Sequence, residues 1–84
     1  MTEEQKKQTR ERLGLRIRSL REAAGMNQVQ LAELAGMQSS HLSRIEAGKY
    51  AVTFETIQTI AEALGMTVDL VDPRLANLTK LKVL

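Results

Sequence analysis

The stretch from Gln28 to Ala47, QVQLAELAGMQSSHLSRIEA, decides the fold. It divides into two short helical segments at a single glycine. Before Gly36, Leu31, Ala32 and Ala35 recur at the three- and four-residue steps that place side chains on one helical face; after it, Leu42 and Ile45 do the same. The remainder of the second segment is polar: Ser39, Ser40, His41, Ser43 and Arg44 stand where a surface helix meets solvent or a partner. Gly36 admits the left-handed backbone that turns the chain sharply, and Ala32 is small enough to let two helices cross closely. The unit is a helix-turn-helix.

Start and stop signals extend this pattern outward. Asn27 suits an N-cap for a helix over 28–35, and Met37 is expected to be buried at the turn. The next helix should run from Gln38 or Ser39 to Ala47 and stop at Gly48, a typical left-handed position. Upstream, Leu13, Ile17, Leu20 and Ala24 share one face of a first helix that ends at Gly25. Thr2 and Gln5 have capping-box spacing, and Glu3 and Glu4 suit a helix amino end. Gly14 inside this helix is less favourable than Ala by up to ~1 kcal/mol. Residues 1–12 are therefore expected to be a loosely held N-terminal extension of helix 1, a solvated arm in preference to one that contacts nucleic acid.

Downstream, Thr53 can cap a fourth helix whose Phe54, Ile57, Ile60, Ala61 and Leu64 form the most regular apolar stripe in the chain, closed by Gly65. From Met66 the period changes: Met66, Val68 and Leu70 alternate with Thr67, Asp69 and Val71, which suits a short strand, with Thr67 as the cap of a fifth helix the other reading. A lone strand needs a partner, most simply its own copy in a second subunit, which would make Val68 and Leu70 dimerisation residues. Asp72-Pro73 is a turn, or a cap with proline at the first helical position. The tail RLANLTKLKVL, with leucines at 75, 78, 81 and 84, fits neither period. The expected organisation is an extension over 1–12, a helix-turn-helix domain over 13–71, and a dimerisation or partner-docking tail over 72–84.

Composition sets the bounds. A chain of 84 residues holds one domain with a modest core that dimerisation would help to stabilise. Hydrophobic residues make up 43% of it but aromatics only 2%, so the expected class is all-α, four to five short helices packed through Leu, Ile, Ala and Met. The absence of cysteine removes disulfides, thiolate metal sites and thiol nucleophiles together, and one histidine cannot build a zinc site alone. With no paired carboxylates or nucleophile and base to assemble, no enzyme, metal or cofactor is expected. The charged N-terminal MTEEQKKQTRER is not followed by an apolar run, so neither a secretory signal nor a membrane span is expected, and the expected location is cytoplasmic.

Net charge is +2, with a pI near 9.3, which permits nucleic-acid binding without requiring it. Its distribution is more informative. Residues 1–25 carry seven Lys/Arg against four Glu, and 73–84 carry Arg74, Lys80 and Lys82 with no acid. Between them, 26–49 balance Arg44 and Lys49 against Glu33 and Glu46, and 50–72 hold four acids and no base. A neutral unit that grips DNA must rely on helix N-termini and neutral polar groups for much of its phosphate contact.

Three stretches, LGLRIRSLREAAGMNQVQLAELAG, MQSSHLSRIEAGK and TFETIQTIAEALGMTVDL, together resemble the phage-repressor and Cro-like family, also called Xre-like or lambda-repressor-like, from about Leu13 to Leu70. The resemblance implies a five-helix domain that binds double-stranded DNA and regulates transcription, usually as a homodimer on two-fold operators. By the same resemblance Gln28 looks like the glutamine that contacts a phosphate and braces a base-reading side chain, and Asn27 like a neighbouring phosphate contact. Ser39, Ser40, Ser43 and Arg44 match the exposed positions that face the major groove. Gln38 stands where the family usually has a Ser or Thr cap, which frees it to reach a base. Lys49 matches a backbone-contacting position, assisted by Tyr50; Arg21 and Glu46 match a structural ion pair between helix 1 and helix 3. His41 is expected to contact phosphate or water.

Arginine is the sharpest discriminator in this set, because its fork matches guanine O6 and N7, whereas serine hydroxyls bond to several base edges. The expected function is a sequence-specific regulator, a repressor that reads the major groove with helix 3. The strand-like segment after helix 4 also resembles the antitoxin branch of the family, in which a small DNA-binding dimer neutralises a toxin. A protein-interaction module that keeps the fold without DNA binding, docking through Arg74 to Leu84, is the alternative of a different class.

Overall fold

Four helices follow one another in the computed structural model, which describes residues 1–74: α1 (Glu3–Ala23), α2 (Gln28–Leu34), α3 (Ser39–Glu46) and α4 (Phe54–Ala63). Among the described residues there is no strand. The fold class is all-α, as the composition requires.

Local chemistry sets most of the boundaries. At α1, Thr2 Oγ1 accepts from the Gln5 N–H at 3.1 Å while Gln5 Oε1 accepts from the Thr2 N–H at 2.8 Å, completing the capping box anticipated from spacing. Asn27 and Gln30 form the same reciprocal pair at α2, at 2.8 and 2.9 Å. Thr53 caps α4 through the Thr56 N–H at 3.2 Å. Gln38 occupies the N-cap of α3 but its side chain makes no capping bond, in keeping with its departure from the usual Ser or Thr. Between α2 and α3, Gly36 turns the chain at φ 66°, a region in which a side chain is strained.

The core gathers Ile17 from α1, Leu31, Ala32 and Ala35 from α2 and its end, Leu42 and Ile45 from α3, and Ile60 from α4. Leu31 and Leu42 retain no exposed surface, and burial of this kind is worth ~1.5–3 kcal/mol for each such side chain. Met37 is half-buried at the turn and packs against this cluster from its edge.

Several expectations are corrected. Gly14 is not a weak point in α1: a Cβ there would lie 2.4 Å from the Glu46 carbonyl oxygen and 2.6 Å from that of Ile45, so α1 and α3 cross with their backbones in contact. A missing side chain is what the crossing needs. The helix therefore continues without interruption from the extension into the domain. Ala24 is the exposed C-cap of α1 and not part of its buried face. Phe54 begins the α4 stripe but is 57% exposed, because the buried part of that stripe lies deeper, at Ile60.

The expected strand at Met66–Leu70 is absent, as is the alternative helix capped by Thr67. No neighbouring edge exists within the described chain for those backbone groups to pair with. Instead Met66, Thr67 and Val68 border an apolar groove of about 250 Å³ with Leu13, Ile17, Leu20, Ile57 and Leu64, while Leu70 projects with 98% of its surface exposed. Asp72 does act as a cap: its Oδ1 accepts from the Arg74 N–H at 3.0 Å, and Pro73 and Arg74 are helical. The rest of the 72–84 tail, from Leu75 onward, lies outside the described residues.

Candidate nucleic-acid interface

The outer face of α3 is held by what lies beneath it. Leu42 and Ile45 are buried, so Ser40, Ser43 and Arg44, at intervening positions on the same two turns, are directed outward and are exposed. Ser39, at the first position, is half-buried, and Gln38 is exposed beside it. Among the described residues no hydrogen bond or ion pair ties down the Arg44 guanidinium. It is available to an acceptor that enters from outside.

His41 lies to one side of this face. Its ring sits 4.8 Å from that of Tyr50 at an interplanar angle of 59°, a tilted aromatic contact that joins α3 to the loop after it. Half-buried, His41 borders the open cleft between the turn and α4, with Gln38, Thr56 and Thr59. Lys49 and Tyr50 are exposed just beyond the end of α3, where the Lys49 N–H donates to the Arg44 carbonyl at 3.1 Å. That bond, with Gly48 at φ 72°, fixes where Lys49 leaves the helix.

The structure joins three residues that the sequence separates. Arg21 makes a two-pronged contact with Glu46, Nε to Oε2 at 2.8 Å and a terminal nitrogen to Oε1 at 3.0 Å, with side-chain exposures of 9% and 3%. Its other terminal nitrogen donates to the Met26 carbonyl at 2.8 Å. The Glu46 carboxylate pushes the Arg21 pKa further up, chiefly through that hydrogen bond and against the opposing effect of burial. The pair ties α1 to the end of α3, as the resemblance implied.

Gln28 is the third member. Its Nε2 donates to Glu46 Oε1 at 3.1 Å, so the first residue of α2 is linked to the last residue of α3. One Nε2 proton is committed, and the same nitrogen carries a second donor. Spacing alone does not reveal this link, because Gln28 and Glu46 lie on different helices. Asn27 divides its side chain similarly: Oδ1 caps α2, which leaves the amide nitrogen as its outward donor.

The fold that carries these residues is one that known proteins share. Residues 12–73 match the family model of a helix-turn-helix domain, and the chain belongs to that family. Among solved structures it is similar to the restriction-modification controller protein C.AhdI from Aeromonas hydrophila, with 32% identity over 81% of this chain and 91% of that one, and a TM-score of 0.70. It is also similar to the clp gene regulator ClgR from C. glutamicum, at 36% identity over 70% of this chain and 76% of that one, with a TM-score of 0.68. An HTH_3 family transcriptional regulator from Vibrio cholerae shares the fold, with a TM-score of 0.71, at 24% identity over 74% of this chain and 35% of that one. Comparison with curated proteins gives no match. The family and these neighbours support a DNA-binding regulator of the Xre-like type. Among the described residues no helix is long and apolar enough to cross a membrane.

Proposed function

We propose that this protein is a sequence-specific transcriptional repressor that binds double-stranded DNA as a homodimer, with α3 lying in the major groove. The observation that carries this reading is the two-sidedness of α3: fully buried Leu42 and Ile45 anchor it, while Ser40, Ser43 and Arg44 are left free on its outer side. Arg44 supplies the strongest base discrimination, through paired hydrogen bonds to guanine. Gln38, Ser39, Ser40 and Ser43 add contacts of lower selectivity, supplemented by DNA shape. Asn27, Gln28, His41, Lys49 and Tyr50 bond to the phosphates that flank the groove and set the register of the helix.

Dimerisation would use Val68 and Leu70, in the extended segment beside the apolar groove, each copy contributing the same two side chains. Two half-sites would then lie ~34 Å apart, or at a multiple of that spacing. No toxin partner is needed for this reading; one would be suggested by a toxin-like gene beside this one. We read the chain as a binding protein and not an enzyme because it has a single histidine and no cysteine from which to build a catalytic group.

A fluorescence anisotropy titration against the DNA flanking its own gene, beside scrambled duplexes of equal length, tests the proposal. Preference for one duplex supports it. Equal affinity for all of them sinks the base-reading claim. Light scattering of the full chain and of Leu70→Asp tests the dimer: the wild-type mass should be twice that of one chain and the variant's should be halved.

A further inference from the structure

Helix α1 extends well past its contact with the core. It crosses α3 at Gly14, yet it continues in the amino-terminal direction to Glu3, roughly 16 Å farther at 1.5 Å per residue. Of residues 1–12 only Arg10 is even half-buried and none joins the apolar core, so core burial does not account for those turns. What they pass is the carboxyl end of α3. Arg10 Nε donates to the Gly48 carbonyl at 3.4 Å, and a Cβ on Gly48 would lie 2.7 Å from the Glu11 Cα. Lys49, the next residue, is already read as a phosphate contact.

The three- and four-residue steps from Lys7 to Arg10 to Gly14 keep both cations on the side of α1 that meets α3. Lys6 is tied to Glu3 at 3.2 Å, and Arg12 points the opposite way by helical spacing. Glu11 is the acid within this group. The charge distribution gives these residues a reason to be there: 26–49 carry two bases and two acids, so the recognition unit alone would displace few counterions from a duplex.

We propose that the amino-terminal turns of α1 form a second phosphate-contacting surface, in which Lys7 and Arg10 continue along the DNA strand first met by Lys49. The bond from Arg10 to Gly48 holds this part of α1 beside the loop, so the three cations approach the backbone as one row. This rests on the reading of α3 as the helix in the groove. The contact is with phosphate and is therefore indifferent to base sequence.

The test uses the full chain as wild type, Lys7→Gln, Lys7→Gln with Arg10→Gln, and Arg12→Gln, titrated on the preferred duplex and on a scrambled one at a series of salt concentrations. Each lost phosphate contact should make the slope of log K against log salt shallower by ~0.9, so the single variant should lose ~0.9 and the double ~1.8, on both duplexes alike. Arg12→Gln should keep the wild-type slope. Thermal melts report whether Arg10→Gln loosens the loop, and exposed Lys7→Gln carries the test if it does. An unchanged slope in Lys7→Gln, or an equal fall in Arg12→Gln, overturns the proposal. If the wild type prefers no duplex, the reading of α3 has failed instead, and the slopes on scrambled DNA still decide the role of α1.

Discussion

Replacing Glu46 by alanine should be among the most damaging single changes in this protein. The carboxylate accepts from Arg21 at 2.8 and 3.0 Å and from Gln28 at 3.1 Å, and its side chain is 3% exposed. Its removal leaves the buried Arg21 charge with only the Met26 carbonyl as partner, and the loss of one member of such a pair costs about 3–5 kcal/mol. A domain of this size has roughly 4–13 kcal/mol of stability in total. At ~4–8 °C per kcal/mol, the midpoint of thermal unfolding should fall by at least about 12 °C. Circular dichroism melts of wild type, Glu46→Ala and the double variant Arg21→Met with Glu46→Leu measure this. The double variant should regain most of the lost stability, because two apolar side chains of similar volume remove the stranded charge along with the bond. A fall of less than about 1 kcal/mol in Glu46→Ala, or a double variant worse than the single, would show that the pair is not the clasp between α1 and α3 derived from its geometry.

Three further outcomes follow from single contacts. Gly14→Ala should destabilise by about 1–3 kcal/mol in chemical denaturation, although alanine is the better helix former, because its methyl group meets the backbone of α3 and no flexible side chain can yield. Leu42→Ala should lose about 2–5 kcal/mol by the same assay and weaken DNA binding only to the extent that the domain unfolds. The Asp72 carboxyl is held below its ordinary value of 3.8 by its hydrogen bonds from Arg74, side chain first. The cap it provides should therefore be complete above that value and be lost as pH falls through the lower folded one, so the Arg74 amide resonance should titrate with a midpoint below 3.8.

What could be read from the sequence was whatever depends on neighbours in the chain. Thr2 with Gln5, Asn27, Thr53 and the turn at Gly36 each act within a few residues, so side-chain chemistry and spacing sufficed to place them. The outward face of α3 was legible for a related reason: once Leu42 and Ile45 are assigned to the core, helical geometry decides where Ser40, Ser43 and Arg44 must go.

What could not be read depends on other helices. The propensity of Gly14 argued for weakness, while its contact with the carbonyls of Ile45 and Glu46 makes it a requirement of the crossing. The resemblance assigns Gln28 to phosphate, and its bond to Glu46 has no signature in either segment. Alternation from Met66 to Leu70 describes which side chains could share a face, but pairing needs a second backbone, and the described chain offers none.

Selection of bound sites from random duplex DNA, carried out in parallel with wild type and Arg44→Ala, tests most directly whether the outer side of α3 reads bases. The expected result is one enriched two-fold motif for wild type, with Arg44→Ala losing preference at a single guanine per half-site, a loss of about 1–3 kcal/mol in affinity for that site, and an unchanged melting temperature. No enriched motif, or the same motif recovered by both proteins, would contradict it.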